Sequence, residues 1–159
     1  MSRSDFHIRP LAGRAEMEAC VVLQEAVWGA GFRERVPAAI LGVARRLGGV
    51  VTGAFRGDEL VGFVFGLTGI REGRPVHWSD MLAVRAEARG RGLGIALKEA
   101  QRDELLSRGV RVMEWTFDPL VARNAHLNLN RLGAAGVEYV VDAYGDSDSP
   151  LHRGIGTDR

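Results

Sequence analysis

Apolar residues recur along the chain in two rhythms, one of about three to four residues and one of two. Between Ala15 and Trp28, Met17, Cys20, Val21, Val27 and Trp28 fall at helical spacing, which predicts an amphipathic helix ended by Gly29 to Gly31. Phe6 to Leu11, ahead of it, reads as a short strand. Pro37 suits the first turn of a second helix that runs to about Leu47 and stops at Gly48-Gly49. Gly49 to Phe55 and Leu60 to Leu67 are Val- and Phe-rich runs joined by Arg56-Gly57-Asp58-Glu59, the pattern of a β-hairpin, and Val76 to Val84 is a further strand.

Farther on, Leu93, Ala96, Leu97 and Ala100 form an apolar stripe on a helix ending near Arg108-Gly109. Val110 to Phe117 alternates, with Met113, Trp115 and Phe117 on one face, until Asp118-Pro119 breaks it. Arg123 to Leu132 predicts a short helix closed by Gly133, and Val137 to Tyr144 a final strand. The expected order is β-α-α-β-β-β-α-β-α-β, a single α/β domain over residues 1–144. From Gly145 the chain turns polar and reads as a mobile tail.

Composition narrows the partners. With 159 residues, 46% of them hydrophobic and 26% charged, the chain is an ordinary globular domain. A net charge of +1 provides no global field to recruit nucleic acid or an anionic membrane, so any anion is bound locally. Cys20 is the single cysteine and lies in an apolar helical pattern, which makes it a core residue in a reducing, cytoplasmic setting. Met1 to Asp5 leads into no long apolar run, so neither a signal peptide nor a membrane span is expected. His7 and His152 have no carboxylate or cysteine at ligand spacing, so no metal site is expected.

The chemistry concentrates between Leu82 and Leu97, where a strand runs into an Arg- and Gly-rich turn and then a helix start. A helix's first amides lack intrahelical partners and its dipole places partial positive charge there, so the site suits a phosphate. Gly90, Gly92 and Gly94 allow positive φ and close approach of a ligand, while Arg85, Arg89 and Arg91 add charge. No lysine follows the glycines as a P-loop requires. Ile95 and Leu97 stand where a dinucleotide fingerprint needs a third small residue.

What remains is Arg/Gln-x-x-Gly-x-Gly/Ala, with Arg89, Gly92 and Gly94 at the fixed positions. This resembles motif A of the GCN5-related N-acetyltransferase (GNAT) superfamily, and Trp115 to Leu120 with the Asn124-to-Gly133 segment is similar to a less-studied branch of predicted acetyltransferases. The resemblance implies a mixed, mostly antiparallel sheet with a splayed parallel strand pair, flanked by helices. The splayed strands would end near Val84 and Phe117, and one of the family's two C-terminal strands would be missing. It implies acetyl-CoA as co-substrate, with the pantetheine arm along Leu82, Ala83 and Val84, the pyrophosphate on Arg89, Gly90, Arg91, Gly92, Leu93 and Gly94, and Asn124 as a further contact.

At one position the chain departs from the family. Many relatives carry a tyrosine four residues before the glycine of the helix-closing Leu-Gly pair, able to protonate the leaving thiolate; here that residue is Leu129. His126, Asn128 and Tyr144 are substitutes without the family's spacing. On the acceptor side a general base serves an amine that is mostly protonated near neutral pH. Asp80 is the candidate, with Trp78, Asp80 and Leu82 placed on one face by strand alternation; Glu114 and Glu25 are weaker ones.

The expected function is acetyl transfer to an amine of a small molecule or protein, directly within a ternary complex. The alternatives are a catalytically inactive CoA-binding sensor or assembly module and, more remotely, a nucleotide-binding regulatory domain. The regions from Trp28 to Pro37 and from Leu67 to Trp78 are expected to meet the acceptor. With one strand missing, the edge of Val110 to Phe117 is expected to be covered by the last strand or by a second copy in a homodimer.

Overall fold

In a computed structural model, residues 5–145 and 157–159 are described and fall into two compact units, Met1–Trp115 and Thr116–Arg159. The first unit holds β1 (His7–Pro10), α1 (Gly13–Trp28), α2 (Ala38–Arg46), β2 (Val50–Arg56), β3 (Glu59–Arg71), β4 (Arg74–Val84), α3 (Leu93–Ser107) and β5 (Val112–Glu114). The strands form one sheet in sequence order. Neighbours from β1 to β4 are antiparallel, and β4 pairs with β5 in parallel over Val76–Trp78 and Val112–Glu114.

Alternation along the strands explains how the helices divide. Phe63 and Phe65 point into a core with Met17, Cys20 and Leu23 of α1 and Leu41 and Ala44 of α2. Between those phenylalanines, Val64 points to the opposite core, with Leu93 and Leu97 of α3. Each helix thus buries a stripe at helical spacing against one face of the sheet. Cys20 is fully buried and its thiol is pushed up to about 12 by that burial, so it is an inert core residue. Gln24, on the same stripe, hydrogen-bonds both Val36 backbone groups at 2.8 and 3.1 Å and fixes the chain's entry into α2. Pro37 caps that helix from just outside it rather than opening its first turn.

Several expectations about strands are corrected, and of the strand expected over Val110 to Phe117 only Val112–Glu114 forms. β3 and β4 are longer than their apolar runs because Glu72 and Gly73, at φ 52° and 75°, make a two-residue turn that lets Thr68↔His77 and Ile70↔Pro75 pair. In β4, Phe65 pairs with Met81 but Gly66 with Ser79, so Asp80 is an extra residue in a β-bulge. The bulge reverses the facing of the strand. His77 and Ser79 meet Gln101 and Lys98 of α3, yet Met81 and Ala83 enter the core under α1 and α2, and Leu82 and Val84 turn to the α3 side. Leu82 therefore does not share a face with Trp78.

In the second unit, α4 (Ala122–Ala125) continues into a π-helical segment, His126–Arg131, closed by a 3.0 Å bond from Leu132 N–H to Leu127 O. Val137 to Tyr144 forms no strand. Asp142 adopts φ 47°, which ends an extended run, and Val137 and Val141 stay exposed. The segment instead meets the last residues: Val140 and Arg159 exchange backbone hydrogen bonds of 2.6 and 2.8 Å, and Ala143 N–H reaches Thr157 O at 3.1 Å. Within the tail read as mobile, residues 146–156, His152 among them, lie outside the described residues. Among the described residues no helix is long and apolar enough to cross a membrane, and no group of three His, Cys, Asp or Glu side chains could hold a metal ion.

Candidate functional site

The glycine turn is built from the end of β4. Arg85 ties it to β3 through its backbone N–H to Val61 O at 2.8 Å and its Nε to Leu60 O at 3.1 Å. A 3₁₀ turn over Ala86–Ala88 then buries Ala88. Gly90 and Gly92 follow at φ 76° and 75°, a left-handed backbone that a β-carbon disfavours, and Gly92 caps α3. The first helical bond runs from Ala96 N–H to Gly92 O at 3.0 Å, so the amides of Leu93, Gly94 and Ile95 stand ahead of it with no intrahelical partner. A β-carbon at Gly90 or Gly92 would meet nothing within 4 Å, so this cradle faces open space.

Two arginines flank the cradle differently. Arg89 folds back, its Nε giving a 3.0 Å bond to Val84 O. Arg91 lies with its guanidinium carbon 5.8 Å from the Phe6 ring centre, and its Nη1 is buried with no hydrogen-bond partner among the described residues. An orphaned guanidinium donor is unfavourable unless an anion completes it. The donor set therefore fits a phosphate group.

Beyond the cradle lies an unpaired strand edge. β5 pairs β4 only as far as Trp78↔Glu114, so among the described residues no strand pairs that side of β4 from Ser79 to Val84. Leu82 and Val84 are half-buried on the α3 face, whereas the Ala83 side chain is in the opposite core and leaves only its main chain for a ligand. Such an edge can hydrogen-bond an extended, amide-containing chain.

Asp80 sits at the bulge, and its Oδ1 accepts a 3.2 Å hydrogen bond from Trp78 Nε1. Its carboxyl is raised above the ordinary value, chiefly by desolvation among its neighbours, with the Trp78 bond pulling the other way. The rival bases are engaged. Arg71 holds Glu114 with two bonds of 2.8 and 2.6 Å and thereby lowers its pKa, and Glu25 is paired with Arg35. A shallow cleft of about 290 Å³ opens beside Trp78, lined also by Leu67, Ile70, Val76, Arg71 and Glu114.

On the α3 side a buried polar chain crosses the sheet. Thr68 Oγ1 donates to Gly48 O at 2.8 Å, so it accepts at 2.9 Å from His77 Nδ1–H. His77 Nε2 is then the acceptor for Gln101 Nε2 at 3.0 Å; Gln101 Oε1 accepts Ser79 Oγ–H at 2.8 Å; and Ser79 Oγ accepts Lys98 Nζ at 2.7 Å. Every donor points one way, from Lys98 to Gly48. Neither Lys98 nor Gln101 is singled out by the motif reading. Their signal is a charged and an amide residue three apart on a stripe otherwise filled by Leu93, Leu97 and Leu105.

Burial, aided by the charges of Lys98 and Arg108, lowers His77 from 6.5 to about 4. An unfolded chain takes up this proton near 6.5 and the fold refuses it until about 4, so stability is lost as pH falls through that interval. The full loss is roughly 3 kcal/mol. Urea unfolding at pH 7 and pH 4.5 is expected to show the drop, and His77→Gln to make the acid limb shallower; an equally steep limb in the variant would assign the drop to other groups.

In the second unit Asn124 is half-buried on α4, and its carbonyl accepts Asn128 Nδ2 at 2.9 Å. The groups considered in place of a tyrosine have local partners: Asn128 as just described, His126 with Asn130 at 3.1 Å, and Tyr144 with Thr116 at 2.6 Å. Leu129 is exposed.

Comparison with known proteins bears on the family and the fold. Residues 18–133 match the model of the acetyltransferase (GNAT) family. Among solved structures, an aminoglycoside acetyltransferase from an uncultured soil metagenomic sample, in complex with sisomicin, is 17% identical, with a TM-score of 0.70 over 85% of this chain and 93% of that one. An acetyltransferase of Trypanosoma brucei is 21% identical, with a TM-score of 0.68 over 84% and 95%. An aminoglycoside N-acetyltransferase in complex with CoA is 20% identical, with a TM-score of 0.64 over 85% and 91%. A search of curated proteins finds no match.

Proposed function

Since the chain belongs to the acetyltransferase (GNAT) family, we propose that it transfers an acetyl group from acetyl-CoA directly to an amine held beside Asp80, within a ternary complex. The observation that carries this reading is one continuous path on the first unit: the cradle with the orphaned Arg91 donor, the unpaired edge of β4, and a carboxylate of raised pKa at the bulge. Arg89, Arg91 and the amides from Leu93 to Ile95 hold the pyrophosphate, and the β4 edge from Leu82 to Val84 holds the pantetheine arm. Acetyl-CoA supplies the acyl group as an activated thioester.

Asp80 takes the proton that the acceptor nitrogen must lose. Its raised pKa brings it nearer the working pH, where a general base is most effective. The cleft beside Trp78 offers the acceptor an aromatic face and the Arg71–Glu114 pair. Small-molecule amines are the favoured class, because several structural neighbours are named as aminoglycoside acetyltransferases. The test is calorimetry with acetyl-CoA, ATP and NAD, followed by a panel of amines. Acetyl-CoA is expected to bind most tightly and at least one amine to be acetylated. Tight CoA binding with no turnover on any amine supports the inactive-module reading that Leu129 favours instead.

A homodimer belongs to the same proposal, because β5 is the last strand of the sheet and carries the exposed Val112. Light scattering at low micromolar concentration is expected to give twice the chain mass. A persistent monomer with slowly exchanging amides in β5 would remove the second copy from the account.

A further inference from the structure

Where β4 and β5 part, one cation spans them. Lys98 leaves α3 with its Nζ 2.7 Å from Ser79 Oγ on β4 and 4.1 Å from the ring centre of Trp115, the residue after β5. The last ladder pair is Trp78↔Glu114, so Ser79 and Trp115 are the first residues past it. From Val84, beside the cradle, back to Ser79 is about 17 Å of strand, the reach of an extended pantetheine arm. Lys98 thus stands where an arm anchored at the cradle ends in its sulfur.

The buried chain leaves Lys98 a donor to give. Ser79 uses its own proton on Gln101 and can only accept from Lys98, and an ammonium has three N–H groups. The Trp115 face takes the cation without removing a proton from it. Asp80 shares Trp78's side of the sheet and Lys98 lies on the α3 side, so a proton acceptor and a proton donor flank the parting strands from opposite faces.

We propose that Lys98 is the proton donor to the CoA thiolate as it leaves, filling the role for which Leu129 has no group; this rests on the acetyl-CoA reading above. The transfer balances. The acceptor nitrogen bonds to the acetyl carbon, and the carbon–sulfur bond breaks with its electron pair on sulfur. Lys98 Nζ gives that sulfur a proton, and the proton lost by the nitrogen passes to Asp80 and through solvent restores the ammonium. Burial lowers Lys98 to about 7, below an ordinary thiol near 8.5, so the transfer to sulfur is downhill. The titratable groups in the same layer are His77 on β4, held neutral, and, farther along α3, Glu104, which accepts from Thr52 Oγ1 at 3.3 Å and pairs with Arg108 just past the helix end.

Lys98 is the single lysine of the chain, so protein labelled with ε-¹³C-lysine gives one side-chain resonance. We expect it to titrate near 7 in the free protein, and saturating CoA, whose sulfur would sit against Nζ, to shift its resonance. Desulfo-CoA, which keeps the pyrophosphate but lacks the sulfur, should leave the resonance at its free position. In Lys98→Met turnover should fall about a hundred-fold or more, and the loss of wild-type activity above pH 7, where the ammonium gives up its proton, should vanish. Equal responses to the two ligands, with both bound by calorimetry, would overturn the proposal. Failure of both to bind would overturn the acetyl-CoA reading, and the proposal with it.

Discussion

Gly92→Val is expected to bind acetyl-CoA at least about a hundred-fold more weakly than the wild-type chain. Gly92 holds φ 75° at the cap of α3, where a β-branched residue is a conformational outlier. A valine there either reshapes the turn, which turns the amides of Leu93 and Gly94 away, or fills the open space in front of them. Charge-assisted hydrogen bonds contribute about 1.5–3 kcal/mol each, so two lost together account for the factor. Gly94→Ala is the matched control: its β-carbon would meet only Leu82 Cδ2 at an ordinary 3.7 Å. Calorimetry on both variants, with circular dichroism to show that they are folded, decides the matter; unchanged affinity in folded Gly92→Val removes the phosphate from this turn.

Asp80→Asn is expected to lower turnover about a hundred-fold or more while CoA affinity stays nearly constant. The amide keeps the side chain's shape and can still accept from Trp78 Nε1, so lost basicity is the main change. A base must be ionised to act, so wild-type activity should fall as pH drops through the Asp80 pKa, above the usual carboxylate range because of desolvation. That acid limb should vanish in the variant. A pH–rate profile that superimposes on the wild-type one would make Asp80 a structural carboxylate.

Local backbone geometry was legible where the chain writes it locally. The turn's backbone could be read from Gly90 and Gly92, because positive φ and helix capping are properties of a few adjacent residues, whereas Gly94, expected to share that conformation, lies inside α3 without positive φ. The inversion of facing at Asp80 could not, since a bulge exists only relative to a partner strand and Phe65 and Gly66 are far away in sequence. For the same reason strand alternation placed Leu82 beside Trp78, when packing places it against α3. The strand expected over Val137 to Tyr144 rested on β-propensity, which describes how residues suit a half-buried sheet surface; Asp142 turns the chain and the valines around it remain exposed. The Lys98-to-Gly48 chain draws members from β3, β4 and α3 and from the turn before β2, so no window of sequence contains it.

The placement of Lys98 also bears on how the protein survives its own substrates. For the amine acetylation proposed, every accessible lysine on an enzyme is a competing acceptor, exposed to a reactive thioester throughout the life of the molecule. This chain carries 21 basic residues, and all but one are arginines, whose guanidinium groups stay protonated and are poor nucleophiles. The one exception is buried between α3 and the sheet. Its described surface therefore offers no lysine amine, and any lysine acetylation during incubation with excess acetyl-CoA is expected at Lys98 alone, a narrowing that a lysine-rich surface of equal charge would lack.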